Sequence, residues 1–295
     1  MLSCALGLAN LAAAAPLPRT SPESATISSG LIFTAVDGSP VHAHGAGIIL
    51  PESHPAGAGG KYYMVGATQK FQPGWLSEGI NMYSSMDLQH WKFEHEIFHN
   101  TSITTPLPEG ESNRAYRIER PKVIYNRLTK KYVMYFHLDS SSFGMGMVGV
   151  CTCDSVAGDY VFVDGFQPDG QRSLDMGLFQ DVDGSAYLVR SVDNKYAGWS
   201  KLSPDYLRPT GIFSHGPKCE GQSMWRTGNK YYLLGSHLTG WSANPAILSM
   251  AEGPLTNGSK WTVLGNPSGS STTWDSQSTY VPPAFETTVS IIILT

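Results

Sequence analysis

Charge is scarce in this chain. Only 15% of its 295 residues are Asp, Glu, Lys or Arg, which excludes highly charged disordered segments and coiled coils. Lys and Arg together number 20, without any cluster of five, against a formal net charge of −4. No continuous positive face is available for a phosphate backbone, so nucleic acid is not an expected partner. Long apolar runs are also missing. The stretches 5–15 and 291–294 are both too short to cross a bilayer, and no membrane association is expected. The four cysteines have no metal-site spacing, and His42 and His44 form an H-x-H pair with no third ligand nearby in sequence. That pair reads as part of a site or of the structure rather than as a metal centre. No metal or other cofactor is expected.

Glycine, proline and aromatic residues are plentiful. Thirty-one Gly, 19 Pro, 11% aromatic and 41% hydrophobic residues describe a folded, turn-rich protein with a sizeable core. Residues 1–15 are expected to be a secretory signal peptide, with the apolar run 5–15 ending in small residues before Pro16-Leu17-Pro18 and no basic residues ahead of it. The sequons Asn100-Thr101-Ser102 and Asn257-Gly258-Ser259 agree with secretion to the extracellular space. Removing the leader takes Cys4 and leaves Cys151, Cys153 and Cys219, so at least one thiol has no partner within the chain. Cys151 and Cys153 share one face of an expected strand and cannot easily reach each other. A monomer is expected.

One unit recurs along the chain: a polar residue, a short apolar run, a turn and a Tyr-rich strand. The runs His44–Leu50, Glu119–Tyr125, Asp175–Phe179 and Glu220–Trp225 open the units. Tyr62–Gly66, Tyr132–Phe136, Ala186–Val189 and Tyr231–Leu234 answer them. Each hairpin is followed by a second strand pair, giving four strands per unit, the size of a propeller blade. The openings are spaced by 75, 56 and 45 residues, and a fifth begins at Gln277. The expectation is an all-β, five-bladed β-propeller over residues 27–283 with its fifth blade incomplete, because only 18 residues follow Gln277. The segment 284–295 is an atypical tail.

Innermost strands of a propeller surround one axis, so residues at the same end of each strand face the same mouth of the channel. His44, Glu119, Asp175, Glu220 and Gln277 are therefore expected to converge. Several carboxylates gathered there would raise the pKa of at least one.

The order of Ala43-His44-Gly45, Glu119-Arg120-Pro121, Asp175-Met176-Gly177 and Glu220-Gly221 resembles the family-43 glycoside hydrolases. Ser236–Trp241 with Asn244-Pro245, and Trp274–Val281, are similar to the exo-β-1,3-galactanases of that family. The resemblance implies an inverting hydrolase that removes galactose from the non-reducing end of β-1,3-galactan, the arabinogalactan backbone, with this polysaccharide as its partner. It implies that Glu220 is the general acid and that Glu119 orients it and tunes its pKa. Gln277 would hold the attacking water, since His44 stands in the first-blade region where most members carry an Asp base. An amide is a very poor base, so Glu78 and Asp275 stay open as alternatives. Asp175, Thr239, Trp241 and Asn244 are candidates for gripping sugar hydroxyls or stacking on a ring, with a core position the alternative for Trp241. Phe143 stands where related galactanases tend to have Tyr. Three further readings remain: another family-43 specificity such as arabinofuranosidase or xylosidase, a non-catalytic sugar-binding propeller, and a secreted structural propeller.

Overall fold

The repeat read from the sequence is a four-stranded antiparallel sheet, made four times. The computed structural model describes residues 32–55, 59–69, 76–111, 116–281 and 292–293. The expected leader and most of the tail lie outside the described residues. The first sheet runs β1 (His44–Ile49), β2 (Tyr62–Gln69), β3 (Ser77–Ser85) and β4 (Lys92–His99). The second runs β5 (Arg117–Asn126), β6 (Lys131–Asp139), β7 (Met147–Cys153) and β8 (Val161–Phe166). The third holds β9 (Ser173–Gln180), β10 (Ala186–Val192), β11 (Tyr196–Leu202) and β12 (Pro209–His215). The fourth holds β13 (Glu220–Thr227), β14 (Lys230–Ser236), β15 (Ala246–Glu252) and β16 (Thr262–Gly265). In every sheet the strands lie in chain order, as in a propeller blade.

Among the described residues four blades are complete, and no fifth four-stranded sheet is formed. After Gln277 the described residues form only β17 (Ser278–Tyr280), paired with β18 (Ile292–Ile293). Even so, β17 packs between β13 and β1, while β1 packs on β5, β5 on β9 and β9 on β13. The ring of inner strands therefore closes, with β17 in the fifth inner position.

Apolar residues on both faces of each blade bury themselves between neighbouring blades. Ile80, Met82 and Phe98 of the first blade meet Ile118, Met134 and Phe136 of the second. Val133, Tyr135 and Val150 of the second meet Met176 and Leu188 of the third. Val189 and Trp199 of the third face Met224 and Leu233 of the fourth. Val281, just after β17, joins Trp225 and Leu234. The cysteines Cys151, Cys153 and Cys219 are all free thiols, Cys151 and Cys219 deep in these interfaces.

Around the axis the inner strands approach so closely that side chains compete with backbone. A Cβ on Gly45 would lie 2.9 Å from the Arg120 Cα, and one on Gly221 would lie 2.7 Å from the Gln277 Cγ. Lys122 fastens three inner strands together, its Nζ donating to the Gly45 carbonyl at 2.8 Å and to the Thr279 hydroxyl at 3.4 Å. Thr279 in turn donates to the Ala46 carbonyl at 2.8 Å.

Candidate active site

The residues that open the repeat are set apart by a bulge. In β1 the pairing slips between His44 and Gly47, in β5 between Glu119 and Lys122, and in β13 between Glu220 and Ser223. In β9 the slip spans Asp175, between Ser173 and Met176. A bulge kinks a strand and re-aims a side chain. In three blades the residue after the opening one is left-handed: Gly45 at φ 60°, Arg120 at φ 54° and Gly221 at φ 62°. Glycine takes this conformation freely, whereas Arg120 takes it at a cost of order 1–3 kcal/mol. Pro121 suits the same irregularity, having no N–H to offer a ladder.

Arg120, next to the opening residue of the second blade, joins two further opening residues, Asp175 and Gln277. Its Nε lies 2.8 Å from Asp175 Oδ1, its Nη1 donates to the Ser278 carbonyl at 3.0 Å, and its Nη2 donates to Gln277 Oε1. Arginine has only donors, so the Gln277 atom it meets must be the oxygen. The amide nitrogen then faces the other way, 2.7 Å from Ser236 Oγ and 3.4 Å from Glu220 Oε1. The second Asp175 oxygen accepts the Gly221 N–H at 3.0 Å, tying it to the peptide next to Glu220. Glu220, Asp175, Arg120 and Gln277 thus form one connected cluster at one mouth of the ring, although Arg120 and Gln277 are 157 residues apart in the chain.

Burial pushes the Glu220 carboxyl up to about 7, with the Asp175 charge adding to the rise and Arg120 and Gln277 opposing it. Burial would also raise Asp175, but the charges of Arg120 and His137 hold it below the usual carboxylate range. Two carboxyl groups side by side are therefore driven apart, one ionised and one protonated near neutral pH. The expectation gave Glu119 the tuning of Glu220. Asp175 adds to the rise of Glu220, and Glu119 faces His137, 3.0 Å away.

His44 is half-buried at the same mouth, and burial, helped by the Arg120 charge, lowers its pKa while Glu119 and Asp175 oppose the fall. Among the described residues its buried Nδ1 has no hydrogen-bond partner. The loop after β14 carries the other candidates. Asn244 uses its amide to brace that loop, accepting from His237 N at 2.9 Å and donating to the His237 carbonyl and to Thr239 Oγ1 at 2.9 and 2.6 Å. Trp241, for which a core position was the alternative, is 66% exposed. Thr273 Oγ1 donates to the Asn244 carbonyl at 2.8 Å and joins this loop to the turn that precedes Gln277. Glu78 lies exposed on β3 and Asp275 exposed on that turn.

A cavity of about 150 Å³ follows the axis away from this mouth, lined by Lys122, Leu178, Asp181, Trp225, Arg226 and Tyr280 among others. Glu220 is not part of its lining, so it is the ring's channel and not the acidic site.

No match is found among curated protein sequences. The sequence profile of glycosyl hydrolases family 43 matches residues 53–253. Among solved structures, a family-43 β-1,3-galactosidase solved with galactodeoxynojirimycin is 30% identical over 88% of this chain and 87% of that one, with a TM-score of 0.76. An exo-β-1,3-galactanase from Phanerochaete chrysosporium, solved with galactose, is 30% identical over 86% of this chain and 57% of that one, with a TM-score of 0.74. One from Clostridium thermocellum is 27% identical over 86% and 54%, with a TM-score of 0.69. This chain spans little more than half the length of the latter two. With the profile covering well over half its residues, the chain belongs to glycosyl hydrolase family 43 and is a glycosidase.

Proposed function

We propose that this glycosidase removes galactose from the non-reducing end of β-1,3-galactan with inversion at the anomeric carbon. The observation that carries the reading is Glu220, a carboxyl raised to about 7 at the axial mouth. Such a group is protonated in mildly acid solution and can donate to a departing glycosidic oxygen. The specificity rests on the relatives named for β-1,3-galactose chemistry at 30% identity.

Inversion requires a water on the face of the sugar opposite the acid. Gln277 is the candidate to orient it. Arg120 occupies one lone pair of its amide oxygen and polarises it, leaving the other to accept from water. The amide carries no titratable proton site, so it is assigned orientation and not proton storage. Glu119 belongs to the same mouth, next to Arg120, and His44 lines it as an imidazole whose burial favours the neutral form. Asp175 holds Arg120 and Gly221 in place, while Thr239, Trp241 and Asn244 form the adjoining loop on the sugar side.

The protein is assigned to the extracellular space as a monomer. Asn257 of the second sequon is exposed. Asn100 of the first is buried, with its amide donating to the Ser77 carbonyl at 3.3 Å, and cannot take a glycan in this fold.

Incubation with β-1,3-galactotriose, followed by proton NMR during the first minutes, tests the reading. Galactose accumulating first as the α anomer supports it, and the β anomer appearing first contradicts inversion. Binding without release would favour a sugar-binding propeller. Release of arabinose or xylose from their own glycosides, in place of galactose, would move the chain to another specificity.

A further inference from the structure

Behind Glu119 lies a second charge system, wholly buried. His137 stands directly opposite Glu119 in the β5–β6 ladder and its side chain is 1% exposed. Its Nδ1 is 3.0 Å from Glu119 Oε2 and its Nε2 is 3.2 Å from Asp139 Oδ2. Asp139 also accepts the backbone N–H groups of Ser140, Met145 and Gly146 at 2.9, 2.7 and 3.0 Å, which favours its ionised form. An ionised carboxylate can only accept, so carboxylates on both ring nitrogens are satisfied when both nitrogens carry protons. Phe143 stacks on the ring at 6.2 Å and 18°, and the Arg117 guanidinium lies 4.0 Å from the Phe143 centroid.

Glu119 depends on this arrangement. Among the described residues His137 is the one hydrogen-bond partner of its carboxylate, whose Oε1 is buried without any. Immediately after Glu119 the ladder slips, and Arg120 leaves it at φ 54° toward Asp175 and Gln277. The Glu119–His137 pair is thus the last fixed point before Arg120.

We propose that His137 is a positioning residue, kept as an imidazolium between Glu119 and Asp139, which pins the 119–122 bulge and so aims Arg120 at Asp175 and Gln277. The charged groups around the ring are Glu119 from β5, Asp139 from its own strand, Asp175 from β9 and Arg117 through Phe143. Burial works against the second ring proton, but the hydrogen bonds to Asp139 and Glu119 outweigh it and bring the group to about 9. The activity readout below rests on Glu220 being the acid; the charge-state readout does not.

Nitrogen-15 NMR of histidine-labelled protein at pH 7.5 is expected to show the His137 ring protonated on both nitrogens, and a neutral ring overturns the proposal. His137→Gln keeps a donor for Glu119 without the charge, and Asp139→Asn is the second variant should the first not fold. In either, kcat/KM on β-1,3-galactotriose at pH 6 falls about 10²-fold, as expected for a displaced site group. The alkaline limb of the pH profile also moves above 7, since Glu220 loses the nearby guanidinium. Folded variants with unchanged kcat/KM and an unmoved limb overturn the proposal. Should the wild-type protein not cleave galactan, nitrogen-15 NMR still decides the charge state of the ring, and carbon-13 titration of the Glu220 carboxyl in wild type and variant replaces the limb. An upward displacement in the variant then supports the proposal, and coincident titrations overturn it.

Discussion

The two ends of β9 each carry an aspartate held by an arginine of a neighbouring blade, and they do different things. At the acidic mouth Asp175 meets Arg120 of β5 and the Gly221 N–H of β13. Just past the other end, Asp181 meets Arg226 of β13 at 2.6 Å and accepts from the Tyr231 hydroxyl of β14 at 2.5 Å. Both aspartates are held below the usual range against the upward push of burial, and both clasp blades together. Glu220 makes the difference. It sits beside Asp175 without a cation in direct contact, accepting only from the Gln277 amide among the described residues, and so it retains its proton near neutral pH. The far end instead opens on the axial cavity, which Asp181 and Arg226 line. The same ionic clasp is a fastening where it is closed, and becomes chemistry where a second acid is left unneutralised beside it.

The largest effect separating the two ends is expected from Glu220→Gln. It should lower kcat by about 10²–10⁴-fold, the usual contribution of a general acid, while leaving galactotriose binding measurable by calorimetry. Next is Arg120→Lys. One ammonium cannot hold Asp175, Gln277 and the Ser278 carbonyl together as the planar fork does. A loss of about 10²-fold in kcat/KM is expected in steady-state assays, with the alkaline limb displaced upward.

A third effect belongs to stability. His137 titrates near 9 in the fold against an ordinary 6.5, so the folded state holds this proton more tightly than the unfolded chain does. The resulting stabilisation, about 3 kcal/mol, is complete below the unfolded value and is lost as pH rises from there through 9. Chemical denaturation at a series of pH values should show that decline in the wild type and not in His137→Gln. The smallest effect is expected from Asp181→Asn, at about 1–2 kcal/mol in denaturation midpoints with kcat unchanged. A fall in kcat for this variant would break the distinction between the two ends.

The openings of the blades were legible in the sequence because a strand has a period of two and an inner strand has one end at each mouth. His44, Glu119, Asp175, Glu220 and Gln277 therefore shared a register before any coordinates. Of the five blades expected, the last of them incomplete, the described residues form four, and after Gln277 only β17 and its partner β18. Arg120 was visible as a neighbour of Glu119 but was given no role. Its signal was Pro121, whose presence in an inner strand marks the bulge that lets adjacent residues face the same mouth. His137 was missed altogether. Counting back across the Asn126–Lys131 turn, with one residue allowed for that bulge, would have set it opposite Glu119. Asn244 reads in sequence as a sugar contact, yet its amide braces its own loop, a choice that only side-chain geometry reveals.

Carbon-13 NMR titration of the Glu220 carboxyl in the intact protein, assigned by its disappearance in Glu220→Gln, tests the central claim most directly. A midpoint near 7 is expected from burial beside the ionised Asp175. A midpoint near the ordinary 4.5 would mean that the carboxyl is ionised at working pH, and would contradict its assignment as the acid.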